Sequence, residues 1–540
     1  MSPHISVCRI TQYVTNHTIV SGVSVVIAGF IREASQWLLS NSGRPAGTCG
    51  VVQTTKPLSA VVLGRVESSK KAHIPALSGV SVGTKNRKGV AAQVKNKGHI
   101  DPTTWPNLVR EPSAPMMGAR ASAVHDRLEE FLDSVDISVP DEPIGIGDID
   151  PEPPIAYNPE AVFSSEPMQM SVYDPNVMNR MVDSGFLGLG EGYVAGEWDA
   201  IPLADVLATL LDHDIEAGWG KMLSRWSRNK VTGVPRAGEL PLELIELCTG
   251  PSKTWGSPLF ATSSRTSVTE TLNWKNKNTI VDATRYESPQ SVSYDDIESA
   301  QYRRVNQMLD ECRVGPGSRV LEFPASSATL AVTAARRGAT VDVLTSDPVY
   351  AEDIRRIVRE EKLAGAVHVE TISGPIPSPR QWSGVYDAIM SVERMETMGV
   401  GGLRPFLRAI GRMLSSGGRA CIQSVINTGL SENSIQALGI MRGYVWPALE
   451  YPTVENIRDA LMRYTDLVER AEVHCGDHLR VTLPLWRREF AINRDAAAAA
   501  GFDRVYRRLW FYVLALQEAL FMRGELDVAQ FVLLKPKKSE

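Results

Sequence analysis

The chain has 540 residues, enough for two or three domains with their own cores, and its 43% hydrophobic and 22% charged residues are ordinary for a soluble globular protein. Its six cysteines are scattered without a CxxC pair, which argues against a disulfide framework or a zinc site and predicts a reducing cytoplasm. The longest apolar run near the start, residues 19–30, is too short to span a bilayer.

The net charge of −5 conceals two opposed segments. Residues 1–112 carry 13 Lys and Arg against 4 Asp and Glu, whereas residues 113–160 carry 2 Arg against 11 Asp and Glu. The basic segment suggests an anionic partner surface, either lipid or nucleic acid, and its composition also fits a disordered or wrongly assigned extension. We predict a basic, disordered extension over residues 1–115. No basic stripe with interleaved aromatics follows it, so no nucleic-acid partner is expected.

A helical region is predicted over residues 116–270. Apolar residues recur at helical spacing from Ala121 to Val135, and Asp174-Pro-Asn indicates a capped helix start. Leu203–Leu211 predicts another helix. Residues 227–292 are polar and poorly periodic, and they predict a hinge.

Residues 290–540 alternate strands with helices, which predicts an α/β domain with a mostly parallel sheet covered on both faces. The last strand follows a long aromatic-rich helix and is expected as an antiparallel edge strand. Strands are predicted at residues 319–323, 340–345, 367–371, 386–391, 419–425 and 528–534, and helices at residues 297–309, 325–337, 403–414 and 503–523.

The turn after the first of these strands is unusual for a cofactor site. Such turns are commonly rich in glycine, because glycine allows close approach of the backbone and positive φ. Here the turn is Pro324-Ala-Ser-Ser-Ala328, without glycine. The scaffold of a cofactor site is therefore present, and the segment Phe323–Ala328, called here the cofactor loop, is altered.

Six sequence words stand in a characteristic order along the chain. They are Gly185-Phe-Leu-Gly-Leu-Gly-Glu-Gly-Tyr-Val-Ala-Gly-Glu-Trp-Asp199, Ile297-Glu-Ser-Ala-Gln301, Gly315-Pro-Gly-Ser-Arg-Val-Leu-Glu322, Tyr386-Asp-Ala-Ile-Met-Ser-Val392, Thr482-Leu-Pro-Leu-Trp-Arg-Arg-Glu-Phe490 and Gln530-Phe-Val-Leu533. In this order they resemble words of the cyclopropane fatty acid synthase and mycolic acid cyclopropane synthase family, whose members are class I S-adenosylmethionine-dependent methyltransferases, and the resemblance covers residues 160–536. It implies a class I methyltransferase (Rossmann-like) domain over residues 290–540 and a lipid-binding helical region over residues 116–270.

The resemblance implies a C-methyltransferase that uses S-adenosylmethionine to modify unsaturated acyl chains of phospholipids, forming a cyclopropane ring or a methyl or methylene branch. Bicarbonate is a candidate second cofactor, because the family uses it as the base. The implied partners are phospholipid acyl chains at a membrane surface, with a cytoplasmic or membrane-peripheral location; a homo-oligomer and a hetero-oligomer both stay open. The altered cofactor loop supports an alternative, a catalytically degenerate paralogue serving as a partner subunit or lipid-binding protein.

The same resemblance implies roles for particular residues. Glu396 would anchor bicarbonate, and Gln423 stands where many family members have a histidine. The family's bicarbonate tyrosine falls at Leu479, and its cysteine has no clear match. The implied cofactor contacts are Glu322, Phe323, Pro324, Ser326, Thr345 and Ser346.

Each of these residues also has an ordinary structural interpretation. Glu396 fits a capping or ion-paired acid near a strand end, Ser326 fits a helix N-cap, and Thr345 fits a turn. Aromatic residues near the end of the chain could line an acyl tunnel or belong to the core; they are Trp486, Phe490, Tyr506, Trp510, Phe511 and Tyr512.

Overall fold

The computed structural model describes residues 99–113, 115–135, 137–138, 167–213, 240–250, 253–275 and 277–537. Predictions that fall on residues 1–98 and on the other gaps lie outside the described residues. Within the described ranges, no helix combines the length and the apolar character that crossing a membrane requires.

The first part of the described chain is mainly helical. Helix α5 shows why: Leu203, Val206, Leu207, Leu210 and Leu211 recur at helical spacing and are all buried. Strands β1 and β2 pair with each other in a separate antiparallel sheet. The elements are α1 (Pro106–Val109), α2 (Met117–Ser134), β1 (Gln169–Val172), α3 (Asn176–Ser184), α4 (Phe186–Val194), β2 (Trp198–Ile201), α5 (Leu203–Leu211) and α6 (Leu242–Thr249).

The predicted disordered extension is too long at its carboxyl end. Ile100, Trp105 and Leu108 are buried in the main hydrophobic core. The Trp105 indole N–H donates to Asp503 Oδ2 at 2.7 Å, so this segment is fixed to the far end of the sequence. The prediction failed here because it rested on the total charge of residues 1–112, and that total does not reveal the short segment that contains Ile100, Trp105 and Leu108.

The remaining strands form one nine-stranded sheet within the described residues, in the order β3-β4-β10-β11-β9-β8-β5-β6-β7. Neighbours from β9 through β8, β5 and β6 to β7 are parallel, which confirms the predicted α/β class. The strands are β3 (Arg265–Trp274), β4 (Lys277–Tyr286), β5 (Arg319–Glu322), β6 (Thr340–Thr345), β7 (Val367–Thr371), β8 (Tyr386–Val392), β9 (Leu414–Asn427), β10 (Val468–His474) and β11 (Leu526–Leu534).

Helices connect these strands and pack on the sheet. Helix α8 begins at Ala328 rather than at the predicted residue 325, because the Ser327 side chain accepts the Thr329 N–H and caps it. The helices are α7 (Asp296–Glu311), α8 (Ala328–Arg336), α9 (Pro348–Glu360), α10 (Val400–Met413), α11 (Glu432–Ala437), α12 (Gly439–Tyr444), α13 (Val454–Tyr464), α14 (Gly476–Ile492), α15 (Arg494–Ala499) and α16 (Arg504–Met522).

Two topological predictions need correction. Strand β11 is antiparallel to its neighbours, as predicted, but it lies between β9 and β10 rather than at an edge. The predicted hinge at residues 227–292 contains the β3–β4 hairpin, whose strand β4 pairs in parallel with β10. Both faces of strand β3 in this hairpin carry polar residues, so its sequence lacks the alternation of apolar and polar residues by which strands are recognised.

Candidate active site

The predicted site residues meet at one edge of the sheet. Strands β6, β5, β8 and β9 are parallel neighbours, so their carboxyl ends lie side by side, the usual ligand edge of such sheets. Glu322 ends β5, Thr345 ends β6, and Glu396 follows β8 in a short 3-10 helix, Met395–Met398. The roles of these residues stay predictions, whereas their common location is a fact of the fold.

Glu322 is fully buried at the start of the cofactor loop. Its Oε1 accepts the Ser326 backbone N–H at 2.8 Å and the Ser326 hydroxyl at 2.5 Å. Its Oε2 is buried and has no hydrogen-bond donor among the described residues. Burial raises the pKa of Glu322 above its ordinary value, while the bonds from Ser326 oppose that rise.

The cofactor loop is held without the backbone strain that missing glycines could cause. From Phe323 to Ala328, all of which are described, no residue has positive φ. The Ala325 N–H donates to Leu344 O at 2.9 Å, and the Tyr350 hydroxyl donates to Ser326 O at 2.5 Å. The loop is therefore a well-bonded alternative to a glycine loop.

Two predicted cofactor contacts have structural partners of their own. The Phe323 ring lies 5.5 Å from that of Phe406 and belongs to the core. Thr345 Oγ1 accepts the Asp347 N–H at 3.1 Å, as a turn residue does. Pro324 and Ser326 are buried, whereas Ser346 is half-buried at the end of β6.

Glu322 Oε2, the buried oxygen without a donor, can accept a hydrogen bond from S-adenosylmethionine. This cofactor carries a charged amino group, and such a group is a suitable donor for a buried carboxylate oxygen. The half-buried Ser346 hydroxyl stands one strand away, where a ribose could be bound. The polar groups at this edge therefore fit the cofactor, while the side chains of Pro324 and Ser326 occupy space that glycines would leave open.

Glu396 is buried, and both of its carboxylate oxygens accept hydrogen bonds. Oε2 accepts the Ser424 hydroxyl at 2.8 Å, and Oε1 accepts the Val425 N–H at 3.3 Å. Burial, together with the nearby charge of Glu393, raises the pKa of Glu396 to about 7. This acid can therefore change its protonation state near neutral pH.

Glu396 lies in the wall of a pocket, called here the Glu396 pocket, whose lining combines aromatic and aliphatic side chains with two glutamates and an arginine. Trp255 and Trp486 stack there with ring centroids 4.2 Å apart. The indole N–H groups of Trp446 and Trp486 are buried without an acceptor among the described residues. The pocket is lined by Trp255, Glu393, Arg394, Glu396, Thr397, Val425, Trp446, Leu449, Tyr451, Leu479, Trp486 and Gln517.

Gln423 is fully buried and does not line this pocket. Its Nε2 donates to Glu393 Oε1 at 2.8 Å and to Ser257 O at 3.2 Å. Its Oε1 accepts the Gln530 amide at 2.9 Å. Because both its N–H donors are used and Leu479 is apolar, the bicarbonate implied by the resemblance does not fit at these two positions.

Sequence reasoning missed most of the residues that line the pocket, among them Glu393, Trp446 and Tyr451. Glu393 stands directly after β8, three positions before Glu396, and this second acid in one short word was the available signal. Trp446 and Tyr451 belong to an aromatic word between Gly443 and Pro452 that was not interpreted. Of the six aromatic residues predicted for a tunnel or the core, Trp486 lines this pocket.

The chain is similar to several known proteins. Residues 284–531 match the mycolic acid cyclopropane synthetase family. The tuberculostearic acid methyltransferase UfaA1 of Mycobacterium tuberculosis is 26% identical over 442 residues, which are 81% of this chain and 96% of that protein. The sphingolipid C9-methyltransferase of Komagataella phaffii is 24% identical over 247 residues, 44% of this chain and 50% of that protein.

Among solved structures, the cyclopropane synthase MmaA2 from Mycobacterium tuberculosis is 17% identical and covers 54% of this chain and 94% of its own, with a TM-score of 0.44. The family match begins within β4 and ends within β11, so it includes Glu322, Thr345, Glu396 and Gln423. Residues 284–531 of the chain are similar to the mycolic acid cyclopropane synthetase family, the family that the order of its sequence words indicated.

Proposed function

We propose that this methyltransferase transfers a methyl group from S-adenosylmethionine to the cis double bond of an unsaturated acyl chain of a phospholipid, giving a cyclopropane ring or a methylene branch, or, with an external hydride donor that reduces the methylene, a methyl branch. The observation that carries the proposal is the Glu396 pocket. Its apolar walls suit an acyl chain, and its buried carboxylates suit a cation. The names of the two relatives, a tuberculostearic acid and a sphingolipid methyltransferase, support a lipid substrate.

The pocket is suited to the positive charge that such a reaction places on the acyl chain. The stacked rings of Trp255 and Trp486 offer π faces to a cation. The carboxylate of Glu396 adds negative charge whenever it is ionised. Both tryptophans are buried, with 7% and 1% of their surface exposed, so the walls also limit the access of water that would trap the cation as an alcohol.

The cofactor side of the proposal uses the edge formed by β5 and β6. When bound, S-adenosylmethionine supplies an electrophilic methyl group on a sulfonium. We assign the cofactor's amino group to Glu322 and its ribose to Thr345 and Ser346, with Pro324 and Ser326 beside its methionine end. Phe323 would anchor the loop through the core. Bicarbonate is left out, because Gln423 and Leu479 do not offer it donors.

The substrate sets the place of action. Acyl chains of phospholipids lie in a bilayer, so we infer that the protein works at a membrane surface, from the cytoplasmic side. The 13 Lys and Arg of residues 1–112 support this inference, because polybasic segments are attracted to anionic lipid.

One observation favours a second candidate function, that of a catalytically degenerate partner subunit or lipid-binding protein. Ser326 already gives two hydrogen bonds to Glu322, and its side chain and that of Pro324 fill the cofactor loop. A loop closed in this way would leave the lipid pocket intact and the methyl donor unbound.

A methyl-transfer assay separates the two functions. The protein is incubated with methyl-labelled S-adenosylmethionine and vesicles of a phospholipid that carries a cis-monounsaturated chain, and label in the acyl chain is measured. We expect incorporation by the wild-type protein and a loss of roughly 10²–10³-fold for Glu396→Gln, the scale of losing one group that stabilises charge in the transition state. The exposed Glu455→Gln is the matched control. No incorporation by the wild type, together with intact lipid binding, would assign the degenerate function.

A further inference from the structure

Glu393 occupies a position that is built to hold an anion. Its Oε1 accepts the Ser257 backbone N–H at 2.6 Å and the Gln423 amide at 2.8 Å. No hydrogen bond from the described residues reaches its Oε2, and the residue lines the Glu396 pocket. Two donors therefore fix one carboxylate oxygen and leave the other free to meet a ligand.

The donors are themselves held by a buried network. Gln530 donates to Gln423 at 2.9 Å, which orients the Gln423 amide so that its N–H groups face Glu393. Gln301 donates to Gly256 O at 2.7 Å and fixes the segment that carries the Ser257 N–H. The buried Arg304 donates twice to Gln301 Oε1, at 3.0 and 2.8 Å. Every one of these contacts serves to place donors at one carboxylate.

The backbone adopts uncommon conformations to bring Glu393 there. Glu393 has φ of +48°, the left-handed region that residues other than glycine rarely adopt, and strain of this kind is concentrated at functional sites. Gly256 has φ of +109°, and a Cβ at this position would lie 2.8 Å from Val392 Cγ1. The close approach of Ser257 to Glu393 therefore depends on a glycine at 256.

We propose that Glu393 is the proton acceptor of the reaction, its carboxylate filling the place that an external anion such as bicarbonate would otherwise take. This inference rests on the proposed function. After the double bond has taken the methyl group, the neighbouring carbon of the former double bond is cationic. For a ring, a C–H bond of the transferred methyl group breaks, its proton moves to Glu393, and its electron pair bonds the methyl carbon to the cationic carbon. For a methylene branch, a hydride first shifts from the methylated carbon to the cationic one, and the electron pair of the methyl C–H bond then forms the double bond while the proton moves to Glu393. The proton on Glu393 then leaves to water with the product.

Glu393 suits this role better than Glu396 does. Both oxygens of Glu396 are engaged, by Ser424 and Val425, whereas Glu393 keeps one oxygen without a donor. The charge of Glu393 also helps to raise the pKa of Glu396 to about 7, so the two acids divide their roles. Glu393 accepts the proton, and Glu396 adjusts the charge of the pocket.

The decisive experiment compares wild type, Glu393→Gln and Glu393→Ala in the vesicle assay, with bicarbonate present and with carbon dioxide removed by argon. We expect wild-type turnover to be independent of bicarbonate. Glu393→Gln keeps the acceptor for Ser257 and Gln423 and should lose roughly 10²-fold or more in turnover, with a larger share of water-trapped alcohol product. Glu393→Ala should be rescued in part by added bicarbonate or formate.

A second measurement does not depend on activity. Binding of ¹³C-labelled bicarbonate is followed by NMR, and Glu393→Ala should bind it whereas wild type should not. Wild-type turnover that requires bicarbonate, or equal bicarbonate binding by both proteins, overturns the inference and would assign the anion to the free indole N–H groups of Trp446 and Trp486. If the wild type does not label lipid, the proposed function is refuted instead. The NMR result then decides separately whether the Glu393 carboxylate occupies the position of the anion.

Discussion

Ser326 donates two hydrogen bonds to a single oxygen of Glu322, one from its backbone at 2.8 Å and one from its hydroxyl at 2.5 Å. The acid at the end of β5 is thereby half satisfied from within the chain, and its other oxygen stays buried without a donor. The Ser326 side chain therefore closes the cofactor loop from within. A ligand that enters the loop has to compete with Ser326 for the Glu322 carboxylate.

This competition predicts weak binding of S-adenosylmethionine. We expect a dissociation constant weaker than about 100 μM for the wild type. Ser326→Gly removes the hydroxyl and the Cβ but keeps the backbone N–H bond, and it should tighten binding by about tenfold. Glu322→Gln should weaken it, because an amide attracts an amino group less than a carboxylate does. Calorimetry measures all three, and a sub-micromolar constant for the wild type would show that the loop admits the cofactor unaided.

A second prediction concerns Glu396 and pH. Its pKa of about 7 in the folded protein is above the ordinary 4.5, so the folded protein keeps this proton after the unfolded chain has lost it. The contribution to stability is complete below pH 4.5 and is lost as pH rises through about 7.

Glu396→Gln, which never ionises, should therefore be more stable than wild type at pH 8, by roughly 1–3 kcal/mol, with a gap that closes towards pH 4.5. Urea unfolding at several pH values gives the difference. A gap of constant size would mean that the carboxyl is not ionised in this range. The same variant should lose turnover, so stability and activity are expected to change in opposite directions.

A third prediction concerns His474, which lies between two acids. Its Nδ1 lies 2.7 Å from Asp527 Oδ2 and its Nε2 lies 2.7 Å from Glu472 Oε1. Burial disfavours the charged ring, but the bonds to Asp527 and Glu472 outweigh it and raise the pKa of His474 to about 9. Arg458, bonded to Glu472, and Arg285, bonded to Asp527, complete the charged surroundings.

Because the folded pKa of His474 is above the ordinary 6.5, its stabilisation is complete below pH 6.5 and is lost as pH rises through about 9. His474→Gln should cost on the order of 1–3 kcal/mol at pH 6.5 and much less at pH 10. Urea unfolding of both proteins at each pH gives this cost as a difference in the free energy of unfolding. The contributions of groups that titrate elsewhere in the protein cancel in that difference. An equal cost at both pH values would indicate that packing, rather than charge, is what the histidine contributes.

The sequence predicted best those elements of the fold that have a clear apolar pattern. Helix α5 and strands β6 and β7 have the predicted bounds, because each is an apolar run with clear flanks. The β3–β4 hairpin was missed, since β3 is exposed along most of its length and the face that β4 buries begins with the polar Thr279. The position of β11 inside the sheet depends on pairing with β10, a long-range contact that no local pattern encodes.

The sequence indicated the parts of the candidate site that lie within one short segment. It did not indicate the parts where residues far apart in the sequence come into contact. Glu322 and Glu396 were named because the resemblance matches each to an acidic position of a short family word, and their roles stay predictions. Gln423 was placed in the pocket by the resemblance, but its amide bonds Glu393, which only the pairing of β8 with β9 brings near. Ser257, 136 residues before Glu393, supplies the other donor, and nothing in its local sequence indicates this.

The last prediction concerns the beginning of the described chain. Trp105 is 5% exposed, lies 6.1 Å from the ring of Tyr444 and donates to Asp503 at 2.7 Å. Trp105→Ala should cost roughly 3–5 kcal/mol of folding free energy, as truncation of a buried aromatic residue does. Glu111→Ala, at an exposed position of the same segment, is the matched control and should change stability by less than about 0.5 kcal/mol.

Two truncated chains test the same segment as a whole. A chain that starts at residue 99 keeps Ile100, Trp105 and Leu108, whereas a chain that starts at residue 113 lacks all three buried side chains. Leu108 O also accepts a hydrogen bond from Arg180 at 2.5 Å, so the second truncation leaves a buried guanidinium without one of its acceptors. We expect the second chain to unfold at a clearly lower temperature than the first, by scanning calorimetry. Equal melting temperatures would show that residues 99–112 rest on the core without stabilising it.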